Sequence, residues 1–225
     1  VTVSESLLPV LPEVLARIKN LFDLYCEPKA VYETLQVMNT LQPGLCVLGT
    51  RLPGCFNVFE MSVRAVLGQQ ITVKAASTLA ARLVAVYGTQ VQTGIEGLTH
   101  SFPAPAAILA LGENISEHLG KLGIISARAN TIYQLARVLA DEKNDFGFCG
   151  NPEEEMQKLQ AIRGIGSWTA QYIAMRAMGW PDAFLPTDAG IKKALPDHTP
   201  KELQVLSEAW RPWRSYATVN LWNTL

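Results

Sequence analysis

The chain has 225 residues, of which 48% are apolar and 17% charged, and its formal net charge is −1. That balance describes a folded globule with an ample core and excludes a disordered chain. It also excludes a broadly basic protein that coats nucleic acid, so any nucleic-acid binding has to be local. No apolar run reaches the roughly 18 residues of a membrane span, and the first residues lack a basic, apolar and small-residue leader pattern. The expectation is an intracellular protein, cytoplasmic or nucleoid-associated if bacterial.

In chain order the pattern is helical. Residues 7–24 form an amphipathic helix beginning near Pro12, with Val14, Leu15, Ile18, Leu21 and Phe22 on one face. A second helix covers 30–41, and a turn-rich segment runs from Pro43-Gly44 to Leu52-Pro53-Gly54. Residues 58–87 are a long apolar helical pattern broken at Gly68-Gln69-Gln70, where one helix ends and another starts. Proline and glycine punctuate 88–105; helices then follow at 105–111, 115–122, 125–142, 153–162, 167–178, 188–195, 200–210 and 213–224. Strand-like alternation is scarce, which makes the fold all-α.

Cys26, Cys46, Cys55 and Cys149 show no C-x-x-C spacing, so they are read as free thiols, mostly in the core, and not as a zinc site. His100, His118 and His198 are too isolated to form a ligand set and are read as surface or capping residues. No P-loop or dinucleotide fingerprint is present.

The chemistry concentrates in residues 159–193. An apolar helical end, Leu159 and Ile162, runs into Gly164-Ile165-Gly166, and a second helix follows at once with Trp168, Ala170 and Tyr172. Two glycines one residue apart allow a tight turn and close backbone approach. The turn delivers the chain to a helix N-terminus, whose unpaired N–H groups and positive dipole end collect an anion. With a phosphate as that anion, the stretch is a sequence-independent clamp on a nucleic-acid backbone. Pro186-Thr187-Asp188 then opens another helical run. Taken alone, Asp188 is most simply a helix N-cap.

The string I-R-G-I-G-S-W-T-A resembles the hairpin of the helix-hairpin-helix DNA glycosylases, written L-P-G-V/I-G-x-x-T-A, with Arg163 in place of the usual proline. Asp188, at its distance downstream, matches the catalytic aspartate of that family. The similarity is greatest to the 3-methyladenine DNA glycosylase II group, and it continues through FEMSVRAVLGQQIT (59–72) and WRPWRSYATVNLW (210–222). The resemblance implies an all-α helix-hairpin-helix glycosylase fold of two helical subdomains with the active-site cleft between them. One subdomain is expected at 1–62 plus 180–225 and the other at 63–179, which carries the helix-hairpin-helix at 159–178. The small β domain that precedes the first helix in relatives is expected to be absent, which leaves open a longer or fused natural protein.

The resemblance implies roles residue by residue. Asp188 is the catalytic carboxylate, which stabilises an oxocarbenium-like sugar or activates water. Trp168, Tyr172 and Trp222 surround the flipped-out base; Trp168 and Tyr172 lie at i and i+4, and 3-methyladenine nucleosides are cationic, so electron-rich faces favour damaged over normal bases. Trp210 and Trp213 are assigned to the core. Arg163, Gly164, Ile165, Gly166, Ser167 and Thr169, with Gln69 and Gln70, are the DNA-binding set. Gln70 stands where alkylated-base enzymes place the wedge that fills the emptied stack; a solvent-exposed helix start is the competing reading. Glycosylases that also cut the strand carry a Schiff-base lysine at the position of Trp168, so a monofunctional hydrolase is expected.

No organic cofactor is implied. The iron–sulfur branch of the superfamily uses four closely spaced C-terminal cysteines, and none follows Cys149. An alkali ion, Na or K, is implied on the main-chain carbonyls of Gln160, Ile162 and Ile165. The expected partner is double-stranded DNA, bound by a monomer. Two other functions remain open: a non-catalytic helix-hairpin-helix DNA-binding module, and a glycosylase for oxidised or mismatched bases. Asp188 and the aromatic set distinguish these, because a clamp needs neither.

Overall fold

The computed structural model describes residues 1–140 and 151–225, which form two compact units: Val1–Phe56 with Ala174–Leu225, and Asn57–Ile173. The first unit opens with a 3-10 turn at Glu5–Val10 and α1 (Leu11–Leu21), with Pro12 in its first turn. The face of α1 is amphipathic, as its spacing predicts, yet none of its residues is fully buried and Phe22 beyond it is exposed. Next comes α2 (Pro28–Leu35), again started by a proline, which tightens into a 3-10 turn at Gln36–Thr40.

The second unit begins with α3 (Val58–Leu67), capped by the Asn57 side chain, and α4 (Val73–Tyr87), capped by Thr72. The break between them falls where Gly68-Gln69-Gln70 predicts it. A hairpin of two-residue strands, β1 (Thr89–Gln90) and β2 (His100–Ser101), follows. Such short strands leave no alternation to detect in the sequence. Then come α5 (Pro105–Leu109), α6 (Ile115–Gly120), α7 (Ser126–Leu139), α8 (Pro152–Gln160) and α9 (Ser167–Ala177), the last crossing into the first unit. The predicted end of the 125–142 helix and Cys149 lie outside the described residues. The core of this unit forms where α7 packs on α3, α5 and α6, burying Leu67, Ile108, Leu119, Ile132 and Leu135.

The chain completes the first unit with α10 (Ala189–Ala194), α11 (Pro200–Leu206), a 3-10 turn at Ser207–Trp210 and α12 (Arg214–Trp222). Trp210 is fully buried and meets Phe184 edge-on, as its core assignment requires, while Trp213 is half-buried. Eight of the nine residues of α12 are buried, so it is the central helix of this unit and fixes whatever it touches. Its Asn220 accepts the Val47 N–H and the Thr50 hydroxyl, and its Tyr216 hydroxyl donates to the Asp23 carboxylate. Burial pushes the Tyr216 phenol and the Cys26 thiol up, so both stay protonated near neutral pH.

Candidate active site and nucleic-acid interface

Two constellations gather the candidate residues, one in each unit. The first is built around Asp188, and its foundation is the segment that delivers the chain to α10. Asp182, at the start of that segment, is buried and accepts Nε and Nη2 of Arg214 at 2.7 and 2.9 Å. This forked pairing matches guanidinium to carboxylate geometry, and Arg211 adds a third bond to Asp182 at 2.6 Å. The Ser215 hydroxyl donates to Trp180 O at 2.7 Å, and the Ser215 N–H donates to Pro181 O at 2.8 Å. Ala183, Phe184 and Leu185 are buried. The N-terminal end of α12 therefore grips residues 180–183.

The C-terminal end of the same helix grips Asp188 itself. Trp222 Nε1 donates to Asp188 Oδ1 at 2.8 Å. The same oxygen accepts the N–H groups of Gly190 and Ile191 at 2.8 and 3.1 Å, which makes Asp188 the N-cap of α10. The cap reading of Asp188 therefore holds. The residue is 9% exposed, and its carboxylate is also held by an aromatic donor that a cap does not require. Three donors on one oxygen fix the carboxylate rotamer.

Sequence reasoning missed Gly190. A Cβ there would sit 2.7 Å from Trp222 Cδ1, 2.9 Å from its Nε1 and 3.0 Å from Asp188 Oδ1. Only a residue without a side chain lets the indole reach the carboxylate. The available signal was a glycine two residues after a capping aspartate.

The second constellation is the hairpin between α8 and α9. Ile162 and Ile165 bury their side chains and anchor the turn, and the Ile165 N–H donates to Ile162 O at 3.0 Å. Gly164 has φ +96°, and a Cβ there would lie 2.0 Å from Thr131 Oγ1. Conformation and packing therefore each demand glycine at this position. Arg163, Gly164, Gly166 and Ser167 are exposed at the turn. The N–H groups that open α9 lack intrahelical acceptors, as in any first helical turn. Thr169 is only 3% exposed and its hydroxyl accepts Gln69 Nε2, so it shapes the hairpin from within. Gln69 faces the hairpin too, while Gln70 is exposed with φ +54°.

On α9, Trp168 and Tyr172 stack with ring centroids 5.2 Å apart and an interplanar angle of 8°. Their i, i+4 spacing therefore makes a rigid aromatic pair, half-buried. The histidines sit deeper than expected: all three are half-buried, and His118 meets the Tyr87 hydroxyl at 3.3 Å.

The chain is similar to known proteins along its length. Residues 1–57 match the AlkA N-terminal domain, and residues 63–214 match the HhH-GPD superfamily base excision DNA repair protein. The chain is 38% identical over 224 residues to DNA-3-methyladenine glycosylase 2 of Escherichia coli (strain K12), covering 100% of this chain and 76% of that protein. It is 40% identical to a probable bifunctional transcriptional activator/DNA repair enzyme AlkA of Mycobacterium tuberculosis, over 93% of this chain and 42% of that longer protein. Among solved structures, the 3-methyladenine DNA-glycosylase from Archaeoglobus fulgidus superposes with a TM-score of 0.77 at 22% identity, over 98% of this chain and 76% of that one. No described helix is long and apolar enough to cross a membrane.

Proposed function

This chain belongs to the HhH-GPD superfamily of base excision DNA repair proteins, and from that premise we propose that it excises alkylated bases such as 3-methyladenine from double-stranded DNA. The observation that carries the proposal is the Asp188 carboxylate, held by two backbone N–H groups and the Trp222 indole. A pure DNA clamp has no use for such a carboxylate.

Breaking the C1′–N bond sends its electron pair to the departing base and leaves an oxocarbenium-like sugar. A cationic alkylated base accepts that pair and departs neutral, which lowers the barrier for damaged nucleosides. The Asp188 charge, already oriented, stabilises the sugar cation without reorganising as the reaction proceeds. Water adds to C1′, and its proton passes to the carboxylate or to solvent. The stacked pair Trp168 and Tyr172 offers electron-rich rings to a cationic base. The exposed turn at Arg163–Ser167 takes a backbone phosphate. The acting species in this proposal is a monomer, since one copy carries both the proposed grip and the carboxylate.

Trp168 can form no Schiff base, so the enzyme releases the base and leaves the strand intact. The carbonyls of Gln160, Ile162 and Ile165 fit an alkali cation in kind. They are hard oxygen donors at the end of α8 and in the turn after it, and Ile162 O, which accepts one N–H, keeps a second lone pair. A bound ion would stiffen the turn and add positive charge near the phosphate.

The test is incubation with a methylated duplex, followed by chromatography of the released bases and borohydride reduction of a parallel reaction. Free 3-methyladenine with no covalent enzyme–DNA species is expected. Absence of free base would refute the glycosylase reading, and a trapped adduct would refute the monofunctional one.

A further inference from the structure

The turn between α3 and α4 and the α8–α9 hairpin lie about a hundred residues apart in sequence, yet one side chain ties them together. Gln69 Nε2 donates to Gly164 O at 2.9 Å and to Thr169 Oγ1 at 3.0 Å, using both of its amide protons. The main-chain carbonyl of Gln69 in turn accepts Arg128 Nη2 from α7. One turn further along α7, Thr131 Oγ1 sits 3.0 Å from Arg163 O and 3.0 Å from Ala127 O, one hydroxyl proton serving both. The first turn of α7 and a little beyond thus braces both loops, and Gln69 bridges them directly. On the far side of Gln69 the chain reverses through Gln70, whose φ of +54° points to a backbone held by its surroundings.

We propose that Gln69 is a positioning residue that locks the Gln70-bearing turn to the phosphate-gripping hairpin, so that phosphate capture and wedge insertion occur as one motion. The proposal rests on the glycosylase reading. The physical need comes from Gln70 itself. A glutamine gains little from desolvation on entering a base stack, so its insertion depends on how rigidly its backbone is presented. The lock supplies that rigidity from the same carbonyl, Gly164 O, that belongs to the grip.

The test uses Gln69→Leu, which keeps most of the volume and removes both donors, with Gln70→Ala and the double variant. Base unstacking is read by the fluorescence of 2-aminopurine beside an abasic-site analogue, and affinity is read on an undamaged duplex. The lock predicts that Gln69→Leu lowers unstacking and single-turnover excision about tenfold, the scale of two lost hydrogen bonds. Affinity for the undamaged duplex should stay within about twofold, because the phosphate contacts remain. In the Gln70→Ala background the Leu substitution should add little, since the two act as one unit.

Unchanged unstacking, or effects that simply add, would overturn the lock. So would an equal loss of affinity for undamaged duplex, which would make Gln69 only a support of the hairpin. Thr169→Val removes one acceptor in place and should give a smaller loss of the same kind; it carries the test if Gln69→Leu misfolds. A wild-type protein that unstacks no base would refute the glycosylase reading and the lock together. Wild-type unstacking equalled by Gln69→Leu would refute the lock alone.

Discussion

The hairpin and the Asp188 constellation solve opposite problems with opposite materials. The hairpin works through its main chain: Gly164 is required because φ is +96° and because Thr131 fills the space of a side chain. The Asp188 constellation works through side chains, with an indole threaded past Gly190 onto a carboxylate oxygen. In the proposed function one surface accepts any DNA sequence, and backbone N–H groups carry no sequence information. The other, in the same proposal, meets a single developing charge, which calls for fixed donors and low exposure. Damage at the two places should therefore separate into lost binding and lost chemistry.

The largest effect is expected from the frame beneath the carboxylate. Asp182→Ala leaves the buried Arg214 only its longer 3.3 Å contact with Glu208, a change that costs about 3 kcal/mol. For a chain of this size, that is a fall in Tm of roughly 6–12 °C, which calorimetry would detect. An unchanged Tm would mean that α12 does not fix residues 180–188 through this pair.

Next comes the carboxylate. Asp188→Asn keeps an oxygen for the cap and for Trp222 but removes the charge, and single-turnover excision should fall by about 10²-fold. Its Tm should change little, since Asn caps a helix nearly as well as Asp. A modest stability change with full excision would make Asp188 a cap only.

At the hairpin, Gly164→Ala drives a methyl against Thr131 and forces an unfavourable φ. Duplex affinity should drop about tenfold for every sequence tested, the result of a grip displaced rather than abolished. Sequence-dependent loss in a salt titration would contradict a backbone clamp. The smallest change is Trp222→Phe, which removes one hydrogen bond to Asp188 Oδ1 while retaining a ring. Excision should decline several-fold with binding intact.

Much of the helical frame was legible because its apolar residues repeat at helical spacing and its ends carry proline, asparagine and threonine. The break at Gly68-Gln69-Gln70 was legible for the same reason. What sequence hid were partnerships between distant residues. Gln69 reads, with Gln70, as a DNA-binding residue at a helix break, but its amide is committed to residues 95 and 100 positions away. Gly190 reads as an ordinary glycine in a short helix until Trp222 is placed against it. Asp188 read locally as a cap, which it is; only resemblance suggested more, and the indole contact gives that suggestion a physical basis. The amphipathic spacing of α1 was legible too, but periodicity does not say how deeply a face is buried, and this one stays partly exposed.

The most direct test of this division of labour is single-turnover excision at saturating enzyme, measured side by side on Asp188→Asn and Gly164→Ala. Saturation restores the complex that a weakened grip fails to form and leaves the chemical step bare. Gly164→Ala should lose no more than the roughly tenfold that a displaced Gln69 lock costs, and Asp188→Asn about 10²-fold. Equal losses in the two variants, or near-normal excision from a well-folded Asp188→Asn, would contradict it.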